Sequence, residues 1–439
     1  MIQRVRHLYT RYKQLGEIDD LNAAIALDRE ALALCVSDHP DRSMSLNDLV
    51  LHLSSRYKQL GSIDDLNEAI ILGREALSLC PPGHHHRSMS LNNLAVSLSS
   101  RYNLLGGFDD LEEAIVLDRA ALLLCPSGHP DRAMSLSNLV SHIRSRYKRL
   151  GGIDGLDEAI VLGREALSLC PPGHHHRSMS LNNLALCLSS RFSQMGALHE
   201  LNEAILLGWE SLSLCPSGHH NRSLSLNTLA LCLSYRYDHF WGTDDLNEAI
   251  VLDQESLSLR PPGHPDRPLS LNNLAVNLSC RYSQLGAIDD LIKAIVLDRE
   301  ALSLRPPGHP DRSLSLVNLA HHLYYRYNQW GGIDDMNEAI VLDREALSLC
   351  PPGHPVRPMS LNNLALHLCT QYDRLGGIDD LEEAIGLDRE ALSLRPPGHP
   401  DRTMSLGNLA IHLSHRYDQL GGSDDLEETI ILNREAASL

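Results

Sequence analysis

Residues 88–127 read SMSLNNLAVSLSSRYNLLGGFDDLEEAIVLDRAALLLCPS. Leu91, Leu94, Ala95, Leu98, Tyr102 and Leu105 fall at i, i+3, i+4, i+7 spacing, which places one apolar stripe on a helix, here called A. Gly106-Gly107 ends it, because glycine adopts the left-handed conformation that a helix terminus needs. Asp109, with Glu112 three residues on, predicts a capping box that opens a helix B. Leu111, Ala114, Ile115, Ala121 and Leu122 form its buried stripe, and Pro126 stops it. The stretch predicts an antiparallel helical hairpin. One hairpin cannot bury both sides of its stripe, whereas hairpins stacked side by side can.

The stack is written along the whole chain. Gly83, Gly128, Gly173, Gly218, Gly263, Gly308, Gly353 and Gly398 recur every 45 residues without insertion or deletion, and Asp38 takes the same phase in the first copy. About ten copies fill residues 1–439, the first and last of them partial, with no linker or second domain between them. The expected fold is all-α, a right-handed α-α superhelical solenoid of helix-turn-helix repeats whose core is a line.

Composition narrows the partners. A net charge of −18 speaks against a nucleic-acid backbone, which calls for a basic face, and against an anionic membrane surface. No stretch has the length and hydrophobicity of a membrane span, and the N-terminus lacks the apolar run of a signal peptide. Six of the ten cysteines (Cys35, Cys80, Cys125, Cys170, Cys215, Cys350) share a phase filled elsewhere by Arg260, Arg305 and Arg395. A slot that accepts Cys or Arg is neither a disulfide nor a metal ligand, so reduced thiols in a cytoplasmic or nuclear protein are expected.

These units resemble the tetratricopeptide repeat, TPR. The family's helix A pattern, aromatic-x-x-Leu-Gly-x-x-Tyr, is matched in spacing by Leu91-x-x-Leu94-Ala95-x-x-Leu98, and the small residues and Pro of its helix B by Ala114, Ala121 and Pro126. The unit has 45 residues, against 34 in the ordinary TPR. Long units with LNNLA in helix A resemble the TPRs of kinesin light chain. The full wording resembles arrays of mushroom-forming fungi, many of which precede a caspase-like CHAT domain. The resemblance implies a non-enzymatic scaffold that binds a protein or peptide in a concave groove lined by A helices. A second reading is the sensor or regulatory array of a larger effector. The chain stops inside its tenth helix B without a polar cap, so self-association through uncapped ends is also an expectation.

Candidate groove residues are the asparagines of helix A: the pairs Asn92-Asn93, Asn182-Asn183, Asn272-Asn273 and Asn362-Asn363, and the single members Asn47, Asn138, Asn227, Asn318 and Asn408. An amide donates and accepts, so a row of amides can hold the backbone of an extended peptide, as the resemblance to kinesin light chain implies. The same amides can instead bond the next helix and tile the stack, and both readings stand. Specificity would come from phases that vary, such as Leu51, Val96, Ser141, Leu186 and their successors.

Three further rows call for an account. The helix B slot where TPRs carry an aromatic holds Asp28, Asp118, Asp253, Asp298, Asp343 and Asp388, with Gly at 73, 163 and 208. It lies on the apolar stripe, where an unpaired Asp is costly. The partner expected is the helix A ladder that includes Arg101-Tyr102 and Arg281-Tyr282, facing Asp118 and Asp298. The row His52, Ser97, His142, Cys187, Cys232, Asn277, His322, His367, His412 suggests a metal, but its members sit on successive repeats about 8–10 Å apart and do not converge. The loop row from His39 through His84 to His399 is unbroken and predicts a structural bond at the B-to-A corner, with His84-His85-His86 and His174-His175-His176 as local variants of a helix start. No metal, no cofactor and no catalytic residue is expected, since no phosphate loop, nucleophile elbow or HExxH is present. The copy around Trp209, Phe240 and Trp241 is the most irregular, and irregular aromatics mark either a binding hot spot or drift.

Overall fold

The computed structural model describes residues 2–438 except 16, 36–38, 40, 151, 310, 353, 355, 398 and 400; Asp38, Gly353 and Gly398 lie outside the described residues. Among the described residues the chain is twenty helices, from α1 (Ile2–Leu15) and α2 (Ile18–Leu34) to α19 (Arg402–Leu420) and α20 (Ser423–Ser438). Odd-numbered helices are A and even-numbered helices are B. The type unit is α5 (Arg87–Leu105) with α6 (Phe108–Leu123), followed by α7 (Arg132–Leu150).

Helix A ends as its glycines require: Gly106 has φ +78° and returns its N–H to the carbonyl of Tyr102 at 2.7 Å. Helix B starts differently from the expectation. Its N-cap is Gly107, Asp109 lies inside the first turn, and no side chain caps the helix. The second acid explains the change, because Asp110 reaches back to Arg101 of helix A at 2.7 Å and is held there as a bidentate pair.

The loop from B to the next A is a turn with Pro at its second position, or Ser at 127 and 217, and Gly at its third. His84 donates its N–H to the carbonyl of Pro81 at 3.0 Å, and Gly83 takes φ +90°, a conformation costly for any residue with a Cβ. The ring of the loop histidine then closes the corner. Nδ1 of His84 accepts the backbone N–H of His86 at 3.2 Å, and His39, His129, His174, His219, His264, His309, His354 and His399 do the same for the residue two ahead. The residue so bound is the last before helix A. Asp41, Asp266, Asp311 and Asp401 stand there without a side-chain cap, because their backbone has already turned to ψ near 0° and not the extended conformation from which a capping side chain reaches the second or third helical N–H.

Each copy gives its stripe to its own hairpin and to the next helix A. Tyr57, Leu66 and Ile70 pack on Leu94, Ala95 and Leu98, with Ala114 closing the group. Each fully buried leucine contributes about 1.5–3 kcal/mol. Adjacent A helices touch from α3 (Arg42–Leu60) to α19, while adjacent B helices are held further apart. The A helices therefore line the inner side of the curve. The curve closes on itself after four to five copies: Nδ1–H of His220 donates to the carbonyl of Lys13 at 2.9 Å, across 207 residues of chain, and the backbone of Gly308 lies against the carbonyl of Leu105.

Candidate peptide-binding groove

The paired asparagines point to different places. Asn47, Asn92, Asn182, Asn227, Asn272 and Asn362 are at most 3% exposed. Their amides are used inside the stack. Asn47, Asn92 and Asn182 donate to Ser90, Ser135 and Ser225 of the next A helix at 2.8, 2.8 and 3.0 Å. Asn227, Asn272 and Asn362 donate to Asp253, Asp298 and Asp388 at 3.0, 2.9 and 2.9 Å and accept from the buried guanidinium groups of Arg260, Arg305 and Arg395. This set tiles the repeats and cannot reach a ligand, which corrects its assignment to the groove.

The neighbouring set is half-exposed: Asn93, Asn138, Asn183, Asn273, Asn318, Asn363 and Asn408. Asn93 and Asn183 touch the preceding A helix, donating to the carbonyls of Asn47 and Ser137 at 3.3 and 3.0 Å. Among the described residues neither side-chain carbonyl oxygen accepts a hydrogen bond. One turn along, Val96, Leu186, Leu231, Val276 and Leu366 are half-exposed and form an aliphatic strip beside the amides. At the end of the A helices the charge changes sign along the array. Lys13, Lys58 and Lys148 give way, in the same phase, to Asp238, Asp373 and Asp418. Lys58 is exposed, yet the crowding around its ammonium removes enough water to pull it below its ordinary range, against the pull of Asp266 from the next turn of the superhelix.

The Arg ladder pairs with a different acid from the one expected. Arg281 holds Asp290 at 2.7 and 3.0 Å, as Arg101 holds Asp110, and neither reaches Asp298 or Asp118. The first-turn acid lies one short corner away from the guanidinium, whereas the slot residue faces the following repeat. Tyr102 is buried in the core, and Tyr282 is half-buried and donates to Gln329 at 3.3 Å. Where Gly155 replaces the acid, Arg146 turns to Glu112 of the preceding copy at 3.9 Å.

The human IFIT1 dimer with m7Gppp-AAAA superimposes with a TM-score of 0.51 at 14% identity, over 97% of this chain and 79% of that one. A monomeric mutant of IFIT1 with Gppp-AAAA gives 0.52 at 14% identity, over 97% and 78%. The fold is a TPR-type superhelix. The putative kinesin light chain of Podospora anserina, with nearly identical TPR-like repeats, matches 48% of this chain and 96% of that one at 18% identity, with a TM-score of 0.34. No protein-family model and no curated protein matches the sequence.

In this TPR-type stack the departure from the aromatic slot is solved by the His/Cys row. His52, His142, His322 and His367 meet Asp28, Asp118, Asp298 and Asp343 through Nδ1 at 2.5–2.6 Å, and His412 meets Asp388 at 2.7 Å. Asn277 donates to Asp253 at 2.8 Å. Gly73, Gly163 and Gly208 are matched by Ser97, Cys187 and Cys232 in the facing positions. There is little room for more, since a Cβ on Gly73 would lie 3.3 Å from Leu94. Burial lifts the carboxyls of Asp118 and Asp343 above their ordinary range, and the facing histidines oppose that rise. The His and Asn members of the row are thus occupied in joining repeats.

The irregular copy carries one strained residue. Trp241 takes the helix C-cap position that glycine holds in other copies, with φ +58°, and its ring packs edge-on against Tyr237 at 5.8 Å. Its side chain and that of Phe240 are exposed.

Proposed function

We propose that this superhelix is a non-enzymatic protein-interaction scaffold that holds an extended peptide segment along the A helices. The observation that carries the reading is the division of the paired asparagines, one member buried in the seam and one half-exposed beside an aliphatic strip. Amides at one per repeat, broken at Asp48 and Thr228, suit a main chain, whose N–H and C=O recur regularly, and the strip takes apolar side chains. The change from lysine to aspartate along the array favours a peptide that is acidic at one end and basic at the other. The net charge of −18 supports a protein partner over nucleic acid.

The test is selection of peptides from a random displayed library on the full chain, followed by replacement of Asn93, Asn183 and Asn273 together by Ala. Three lost hydrogen-bonding groups at about 1 kcal/mol each weaken binding roughly a hundredfold, while loss of the seam bonds of Asn93 and Asn183 lowers stability by about 1 kcal/mol each. Unchanged affinity in that variant rejects the amide row as the binding element.

A further inference from the structure

Apart from the Asp–His rungs, three metal-ligating side chains converge at one place on the inner face. Cys369 and Asp373 lie one turn apart on α17 (Arg357–Leu375), and His415 comes across the seam from α19. Sγ of Cys369 is 3.4 Å from Nδ1 of His415, and that nitrogen is 3.3 Å from Oδ1 of Asp373. All three ligand atoms lie within 4.8 Å of one another. Cys369 is buried, His415 half-buried and Asp373 exposed, so the group opens to solvent on the carboxylate side.

Two features distinguish this group from an ordinary hydrogen-bonded cluster or a catalytic relay. In a Cys-His-Asp relay the ring bridges, one nitrogen facing the sulfur and the other the carboxylate. Here both short contacts end on the same atom, Nδ1. A single ring nitrogen cannot serve both partners well as donor or acceptor, but its lone pair can point at a cation that all three share. The spacing agrees. Tetrahedral zinc, with Zn–S of about 2.3 Å and Zn–N or Zn–O of about 2.0–2.1 Å, sets sulfur and nitrogen about 3.6 Å apart and nitrogen and oxygen about 3.4 Å apart. The donor set of thiolate, imidazole and one carboxylate suits zinc and not calcium or magnesium, which take oxygen ligands.

The constellation is also unusual for a chain in which most positions are copied. One copy earlier the three places hold Tyr324, Asn328 and Thr370. The objection that neighbouring rungs cannot converge applies to residues of one phase. These three come from three phases, two of them on one helix and the third on the A helix packed against it.

We propose that Cys369, Asp373 and His415 bind one zinc ion that ties α17 to α19 and leaves its fourth position to water. The Cys369 proton is released to solvent as the S–Zn bond forms.

The experiment uses the full chain, reduced and stripped of metal, titrated with Co²⁺ as a spectroscopic stand-in for zinc. The expected result is a thiolate-to-cobalt charge-transfer band that saturates at one equivalent and is displaced by Zn²⁺. Cys369→Ser abolishes the band, and His415→Gln and Asp373→Asn each weaken the binding at least tenfold. Cys280→Ser, at a half-buried thiol elsewhere on the inner face, leaves it intact. Asp373 is exposed, so its variant keeps the fold and remains informative if the cysteine variant does not. Absence of the band, its survival in Cys369→Ser, or full affinity in Asp373→Asn overturns the assignment.

Discussion

Asp118→Gly and His142→Cys, made singly and together, test whether the Asp–His rung is a unit that the chain has already replaced elsewhere. In wild type the pair is 2.5 Å apart, with Asp118 fully buried and His142 at 4% exposure. His142→Cys strands the carboxyl in the seam, and loss of one partner of a buried pair costs about 3 kcal/mol or more. Asp118→Gly leaves the ring N–H without an acceptor, about 1–3 kcal/mol, and adds glycine to a helix interior at about 1 kcal/mol. The double variant has no stranded group, because it reproduces the Gly163–Cys187 pairing, in which Cys187 is fully buried. Its cost is the glycine and some packing, roughly 2 kcal/mol, so the two changes couple by about 3 kcal/mol. Long repeat arrays need not unfold in one step. The assay is therefore amide hydrogen exchange, read at α6 and α7, where local opening free energies can be compared among the four proteins. A double variant that loses the sum of the two single losses refutes the rung as a coupled unit.

Acid should loosen the corners. Burial holds the rings of His264 and His354 down to about 4, so they stay neutral in the fold while the unfolded chain takes up protons below about pH 6.5. Their contribution is complete above pH 6.5 and is lost as pH falls towards 4, by at most about 3 kcal/mol per ring, and a melting temperature flat from pH 7 to 4.5 would contradict this. Trp241→Gly relieves the left-handed backbone and should raise stability by about 1 kcal/mol, less whatever the contact with Tyr237 contributes; a lower melting temperature would show that the contact dominates. Arg101→Ala removes a bidentate pair and should cost more than Arg146→Ala, whose partner is 3.9 Å away; hydrogen exchange at the corner glycines separates the two.

The hairpin period and the left-handed helix ends were legible because they depend on spacing and on glycine, properties of the chain itself. The partners across the seam were not. The spacing makes Asp109 a cap, yet the structure begins the helix two residues earlier and uses Asp110 against Arg101. Charge alone points the slot at Asp118 toward arginine, and nothing within a single copy ties the histidine row to it. The signal that joins them is covariation between copies: Asp faces His or Asn, and Gly faces Ser or Cys. Helical phase alone could not separate Asn92 from Asn93, since adjacent residues differ by about 100° and the seam between A helices falls between them.

The contact between turns of the superhelix changes what a repeat count means. His220 reaches Lys13, and Lys58 feels Asp266, only because a fixed number of copies separates them. Deletion or duplication of one whole 45-residue unit, cut so that each Asp keeps its His or Asn, preserves the neighbour-to-neighbour seams and yet shifts all later copies by one place against the turn beneath. Tandem repeats are usually free to vary in number. Here the length of the array is tied to a register, and a recombination event silent to the local fold is felt a full turn away.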